Sequence, residues 1–302
     1  MSLLLALAAG CGTVSNGPFD DDADFLAALP SEERQTLSLA EDASATAGRG
    51  IGERAELVEL SVGVASTVNG FVFGVLNLLD GVRSLPPTSR TEDGRRWGPA
   101  ELDCNVDGSL LMIREASVYD WSVVGHQAGE EADSTVLYGT HFGGSTVEAG
   151  DGVFVWDHTR WSSWCGADEG GLVSVQYDNR DGVDLLVALD DFYREGEAPA
   201  DRGYAYRRTP ELGDFEYRTE ADLDGSGEAA SVEVRDRWEP GVGGRSDARV
   251  TGGRFGDETW EWSQCWGATG ALVYEVDNLG VVDEAGSAAD CVFADAAGLE
   301  RI

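Results

Sequence analysis

From residue 102 onward, apolar and polar positions alternate with a period of two. Tyr204 and Tyr206 fall on one face, as do Phe215 and Tyr217, Val232 and Val234, and Leu272, Tyr274 and Val276. Gly, Asp and Glu punctuate this region at intervals of about ten residues, the rhythm of antiparallel hairpins. No long helical pattern interrupts it. The first third of the chain reads differently. Residues 25–47 predict a short helix, with Ser31 as N-cap and Glu32, Glu33 and Arg34 after it. Residues 54–82 predict a second helix that carries no charge between residues 61 and 79. Pro86 and Pro87 end it, and a loop leads on to Trp97 and Pro99.

The uncharged stretch is long enough to span a bilayer. Gly63, Gly70 and Gly74 lower its helix propensity, and Ser61, Ser66, Thr67, Asn69 and Asn77 make it wet. A helix apolar nearly all round is either membrane-spanning or enclosed by protein, and enclosure is the expectation here. The expected fold is mainly β with N-terminal helices, an α+β arrangement. A curved antiparallel sheet or up-and-down barrel over residues 100–302 would wrap the apolar helix within residues 25–99.

The β region reads as internally duplicated, residues 119–179 against 215–278. Phe154 matches Phe255, Trp161 matches Trp262, Ser162 matches Ser263, and Gly166-Ala167 matches Gly267-Ala268. Chance likeness between Trp-rich strands is the alternative. Two copies of a few strands suit one pseudo-symmetric sheet, not a solenoid.

Composition narrows the function. Fifty-six acidic residues against 21 basic ones give a formal charge of −35. Such a polyanion repels nucleic acid, so no nucleic-acid partner is expected. Every basic residue is Arg, which removes Schiff-base, P-loop-lysine and Ser–Lys chemistry. Nine Trp is many for this length, and packing inside a β structure is the expected use.

The N-terminus supplies an address. A short apolar run, Leu3-Leu4-Leu5-Ala6-Leu7, is followed by Ala8, Ala9, Gly10 and Cys11. Residues 7–11, LAAGC, resemble the lipobox of bacterial lipoproteins. The resemblance implies a signal peptide over residues 1–10, a diacylated (palmitate-bearing) Cys11 as the mature N-terminus, and attachment to a membrane through that lipid. Ala8 stands where the family most often has Leu. No positive residue precedes the apolar run, which implies a signal beginning upstream of Met1. Gly12 after the cysteine, by the same resemblance, implies outer-membrane sorting. Residues 13–24 are small, polar and acidic, and 11–24 reads as a flexible tether.

With Cys11 lipidated, Cys104, Cys165, Cys265 and Cys291 remain. An even number outside the cytoplasm implies two disulfides, with three pairings open. Residues 222–233 resemble an EF-hand calcium loop, with Asp222, Asp224, Ser226, Glu228 and Glu233 as candidate Ca2+ ligands and Gly227 at the turn. Their flanks read as strands, so the expectation is a calcium-binding hairpin loop, against the alternative of an acidic turn. His126 and His158 fall at one rim of a meander and His141 at the other, too far apart for one metal. No serine or cysteine is tied to His158 as a nucleophile, and no catalytic residue is assigned.

Two functions remain. The first is a non-enzymatic envelope lipoprotein, structural or binding an apolar ligand. A sheet around a helix is similar in architecture to periplasmic lipoprotein carriers, which implies a space that an acyl chain could share with the helix. The second is an envelope polysaccharide hydrolase, which would need two acids facing one Trp-lined cleft.

Overall fold

A computed structural model describes residues 17–39, 50–83, 85–130, 132–142, 150–221 and 227–298. Two short helices come first, α1 (Gly17–Ala27) and α2 (Glu32–Gln35), and then the long α3 (Glu56–Arg83). The strands follow as β1 (Ser89–Arg90), β2 (Gly94–Leu102), β3 (Val106–Glu115), β4 (Val118–Gln127), β5 (Ser134–Phe142) and β6 (Asp151–Asp157). Helix α4 (His158–Cys165) interrupts them before β7 (Gly170–Asp178), β8 (Val183–Tyr193), β9 (Ala200–Arg208) and β10 (Gly213–Ala221). The chain ends with β11 (Ala230–Glu239), β12 (Gly243–Gly252), β13 (Thr259–Gly267), β14 (Leu272–Asp277) and β15 (Ala285–Gly286).

The 15 strands of the described residues form one sheet in sequence order, each antiparallel to the next. Among the described residues β1 and β15 remain edges, so the sheet is not closed into the barrel that the meander allowed. Both edge strands have two residues, too short to template another chain. Residues 52–55 cover part of the β14 side, where Gly52 and Glu53 exchange backbone hydrogen bonds with Leu272 at 2.9 and 2.7 Å. Helix α3 touches β2 near one end of the strand order and β11 and β12 near the other. The sheet therefore curls around it.

Alternation decides which side faces the helix. On β11, Val232, Val234, Asp236 and Trp238 are buried on the inner face. Helix α3 buries one side, with Leu57, Ser61, Ala65, Val68, Val72, Val75, Leu76 and Leu79 within it. Its opposite stripe, including Gly63, Ser66, Thr67, Gly70, Gly74 and Asn77, is exposed. The helix is thus enclosed on one face only. By length and composition it is long and apolar enough to cross a membrane, but within this fold a third of its apolar window is buried.

Among the described residues, 17–27 are helical within the segment read as a tether, and the helix expected from residue 25 is broken at 28–31. Asp22 binds Arg95 at 2.6 Å and Arg90 at 2.9 Å. Burial works against its charge, but hydrogen bonds from both guanidiniums hold its carboxyl below the usual range. Phe25 is fully buried, with the Arg95 guanidinium 4.6 Å over its ring and Tyr119 edge-on. Tertiary contacts thereby order a segment whose composition alone cannot.

Tryptophans account for much of the inner packing. Trp121, Trp238 and Trp266 lie directly across the ladder from Gly139, Gly213 and Gly244. A Cβ on Gly213 would come within 2.0 Å of the Trp238 ring, so glycine there makes room for an indole on the neighbouring strand. Gly213→Ala is expected to destabilise the fold by about 1–3 kcal/mol through overpacking, read from the midpoint of urea unfolding.

The segments matched by the duplication differ in conformation. Residues 158–165 form α4, whereas 259–267 form β13. Asp157 caps α4 by accepting from the Arg160 amide at 2.8 Å, and Gly166, at φ 68°, closes it. The second copy has Glu258 at the capping position, a poorer cap, and alternates Trp260, Trp262, Gln264 and Trp266.

Candidate functional site

Seven of the nine tryptophans are buried. The other two, Trp156 at the end of β6 and Trp161 on α4, are half-buried and line the same groove. Its floor is the C-terminal half of α3 at Gly74, Val75 and Leu78. Its walls include Leu102 at the end of β2 and Val136 and Leu137 on β5. The groove holds about 580 Å³. It exists because α3 turns its glycine stripe outward: a Cβ added to Gly74 would meet nothing within 4 Å.

A disulfide shapes the rim. Cys104 sits in a single turn of 3-10 helix, residues 103–105, and pairs with Cys165 at the end of α4. Cys104 and Asn105 hold left-handed φ angles of 63° and 57°, conformations a free chain seldom adopts. The turn places Asp103 on the groove, beside Glu101. Cys265 pairs with Cys291, so the clasp between Cys104 and Cys291 is not made. That second bridge ties the C-terminal segment to β13. Arg235, Arg237 and Arg245 donate to the backbone oxygens of Gly298, Asp295 and Ala294, holding the segment against the outer face.

The acids at the groove, Glu101 and Asp103, are exposed, and among the described residues neither makes an ion pair or side-chain hydrogen bond. They come from one short segment on one wall. A glycosidase pair must flank the scissile bond from both sides, so this placement suits binding more than hydrolysis.

The histidines are dispersed. His126 pairs with Asp133 at 2.9 Å. His141 is fully buried and meets the Tyr177 hydroxyl at 3.0 Å through Nδ1, and among the described residues its Nε2 has no partner. Burial lowers its pKa against the opposing charge of Asp151, and burial raises that of Tyr177. His158 lies 3.2 Å from Glu169 and 3.4 Å from Ser162, a serine the sequence did not connect to it. Both contacts fall on Nε2, while Nδ1 is buried and has no partner among the described residues. A nucleophilic triad instead divides serine and acid between the two ring nitrogens, and Ser162 is itself buried. Burial also lowers the pKa of His158, although Glu169 opposes it. Stacked on Phe192 and packed on Trp156, it is a packing residue.

Of the candidate calcium ligands, Asp222, Asp224 and Ser226 lie outside the described residues, as does Cys11. Glu228 precedes β11. Glu233, on β11, accepts from the Arg218 Nε at 2.9 Å and lies 3.6 Å from Arg249. It would have to leave both arginines to close a calcium shell. Among the described residues no group of three or more His, Cys, Asp or Glu is placed to hold a metal.

Sequence reasoning missed one polar site. Asp236 is on the inner face, directly across from Phe215 and Ser246. It accepts from the Ser246 hydroxyl, which in turn receives the Trp266 indole N–H at 3.2 Å. Among the described residues its second oxygen has no partner, and the residue borders a void of about 10 Å³ shared with Val58, Ser61, Leu39 and Trp266. Burial pushes this carboxyl up to about 7, against the hydrogen bond from Ser246 and the nearby Ser61 hydroxyl. The signal was present in the alternation of Val232, Val234, Asp236 and Trp238. No family model, no curated protein and no solved structure matches this chain.

Proposed function

We propose that this protein is a non-enzymatic envelope lipoprotein that binds an apolar ligand in the groove between α3 and the β2–β5–β6 side of the sheet. One observation carries the reading: the two tryptophans not consumed by the core both line a groove of about 580 Å³ with aliphatic walls. That volume lies in the range of sites for small organic ligands, which are mostly apolar with a few polar groups. The attachment through a lipidated Cys11, and outer-membrane sorting, rest on the LAAGC motif alone. Globomycin treatment with labelled palmitate tests them, and a protein that takes up no label would end that part of the proposal.

The binding reading is tested by filling the groove. Gly74→Phe places a ring in open space and removes a helix glycine, so stability is expected to hold or rise by about 0.5–1 kcal/mol. Binding of the uncharged dye N-phenyl-1-naphthylamine should weaken roughly tenfold or more. Unchanged dye affinity in the folded variant would show that the groove is not the site.

A further inference from the structure

The acids at the groove mouth say more than that the site is apolar. Glu101 and Asp103 are its only charged lining residues among those described, and both are exposed and unpaired. Other polyanionic surface on this protein is partly neutralised: Glu233 by Arg218 and Arg249, Asp184 by Arg207, and Asp178 by Arg180. Arg160, next to Trp161 in the chain, is exposed and is not part of the lining. A ligand whose chain lies on Leu102, Val136 and Leu137 would put its polar end beside two free carboxylates. A carboxylate or phosphate head would meet like charge there, and an ammonium head would meet opposite charge. Trp156 and Trp161 line the same groove, and indole rings attract cations.

Resting on the binding reading above, we propose that the groove is selective for amphiphiles with a cationic headgroup, an alkyl or acyl chain ending in an ammonium, over anionic amphiphiles. Net charge alone does not account for the selectivity. Removing two carboxylates changes a formal charge of −35 to −33, yet it removes both charges at the mouth.

The test is displacement of N-phenyl-1-naphthylamine from the full chain in 0.15 M salt, below micelle-forming concentrations. The competitors are dodecyltrimethylammonium, dodecyl maltoside and dodecanoate. Dodecyltrimethylammonium is expected to displace the dye at roughly tenfold lower concentration than dodecanoate, with the maltoside between them. In Glu101→Gln/Asp103→Asn the ratio should fall to near one, with each displacement referred to the variant's own dye affinity. Both changes are at exposed positions, so folding is not at stake. Equal displacement by both charged amphiphiles, or a preference for dodecanoate, overturns the charge selectivity and leaves the apolar groove standing. A cation preference that persists in the double variant also overturns it, because the bulk charge would then be the cause. If neither dye nor any amphiphile binds, both readings fall.

Discussion

Asp236→Asn is expected to raise stability above pH 7 and to remove a pH dependence that the wild-type protein shows between about pH 4 and 7. The carboxyl rises from 3.8 to about 7 on folding, so between those values the native state holds a proton that the unfolded chain has released. Stability therefore falls as pH rises through this window and is flat beyond it. Three units at about 1.4 kcal/mol each give roughly 4 kcal/mol. The sign follows from what surrounds the group. On the inner face it meets Phe215, Ser246, Val58, Ser61, Leu39 and Trp266, and none of these is a cation. Arg235, Arg237 and Arg245 alternate to the other face, where they bind Asp214, Asp247 and the C-terminal segment. Asp214 and Asp247 add repulsion. An asparagine keeps the shape and the acceptor for Ser246 without the charge. Because the whole protein is acidic, the relevant measure is the difference between variant and wild type in urea unfolding from pH 4 to 9. A constant difference across that range would show that Asp236 is not the titrating group.

Removing the Cys104–Cys165 bridge is expected to cost the most of any pair of surface changes. It closes 61 residues of chain, and the loop-entropy relation gives about 4 kcal/mol for a loop of that length. Cys265–Cys291 closes 26 residues, for which about 3.5 kcal/mol follows. The two should also differ in kind. Without its bridge, the left-handed turn at Cys104 and Asn105 loses its covalent tie to α4, and the wall carrying Asp103 is expected to shift. Cys104→Ser/Cys165→Ser should therefore weaken dye binding, whereas Cys265→Ser/Cys291→Ser should lower stability and leave dye affinity unchanged. Equal loss of binding in both would break the link between this bridge and the groove.

Much of the fold was legible. Alternation over β9, β10, β11 and β14 needs only that one face be buried, and the chain states it residue by residue. The uncharged run in α3 was equally plain, as was a pair of disulfides from four cysteines. The groove was less so. Trp156 and Trp161 look like any others among nine, and only packing separates them from the seven in the core. Glu101 and Asp103 are two of 56 acids until the turn at Cys104 brings them to the groove. The helix at residues 17–27 was hidden for a related reason: Arg90 and Arg95, which neutralise Asp22, lie some seventy residues away.

Residue pattern alone was enough for the antiparallel meander, the long apolar helix and the absence of lysine chemistry. Each depends on local periodicity or on composition. The open edges of the sheet, the pairing of the cysteines, the burial of only one side of α3 and the assembly of the groove depend on contacts between distant segments. Such contacts arise only when a curling sheet brings β2, β5 and β6 to the same helix. Whether α3 would be enclosed or left open could not be read from its own residues, because its glycine stripe suits close packing and exposure alike. The sheet stops short of covering that stripe, and the space beside Gly74 is the result.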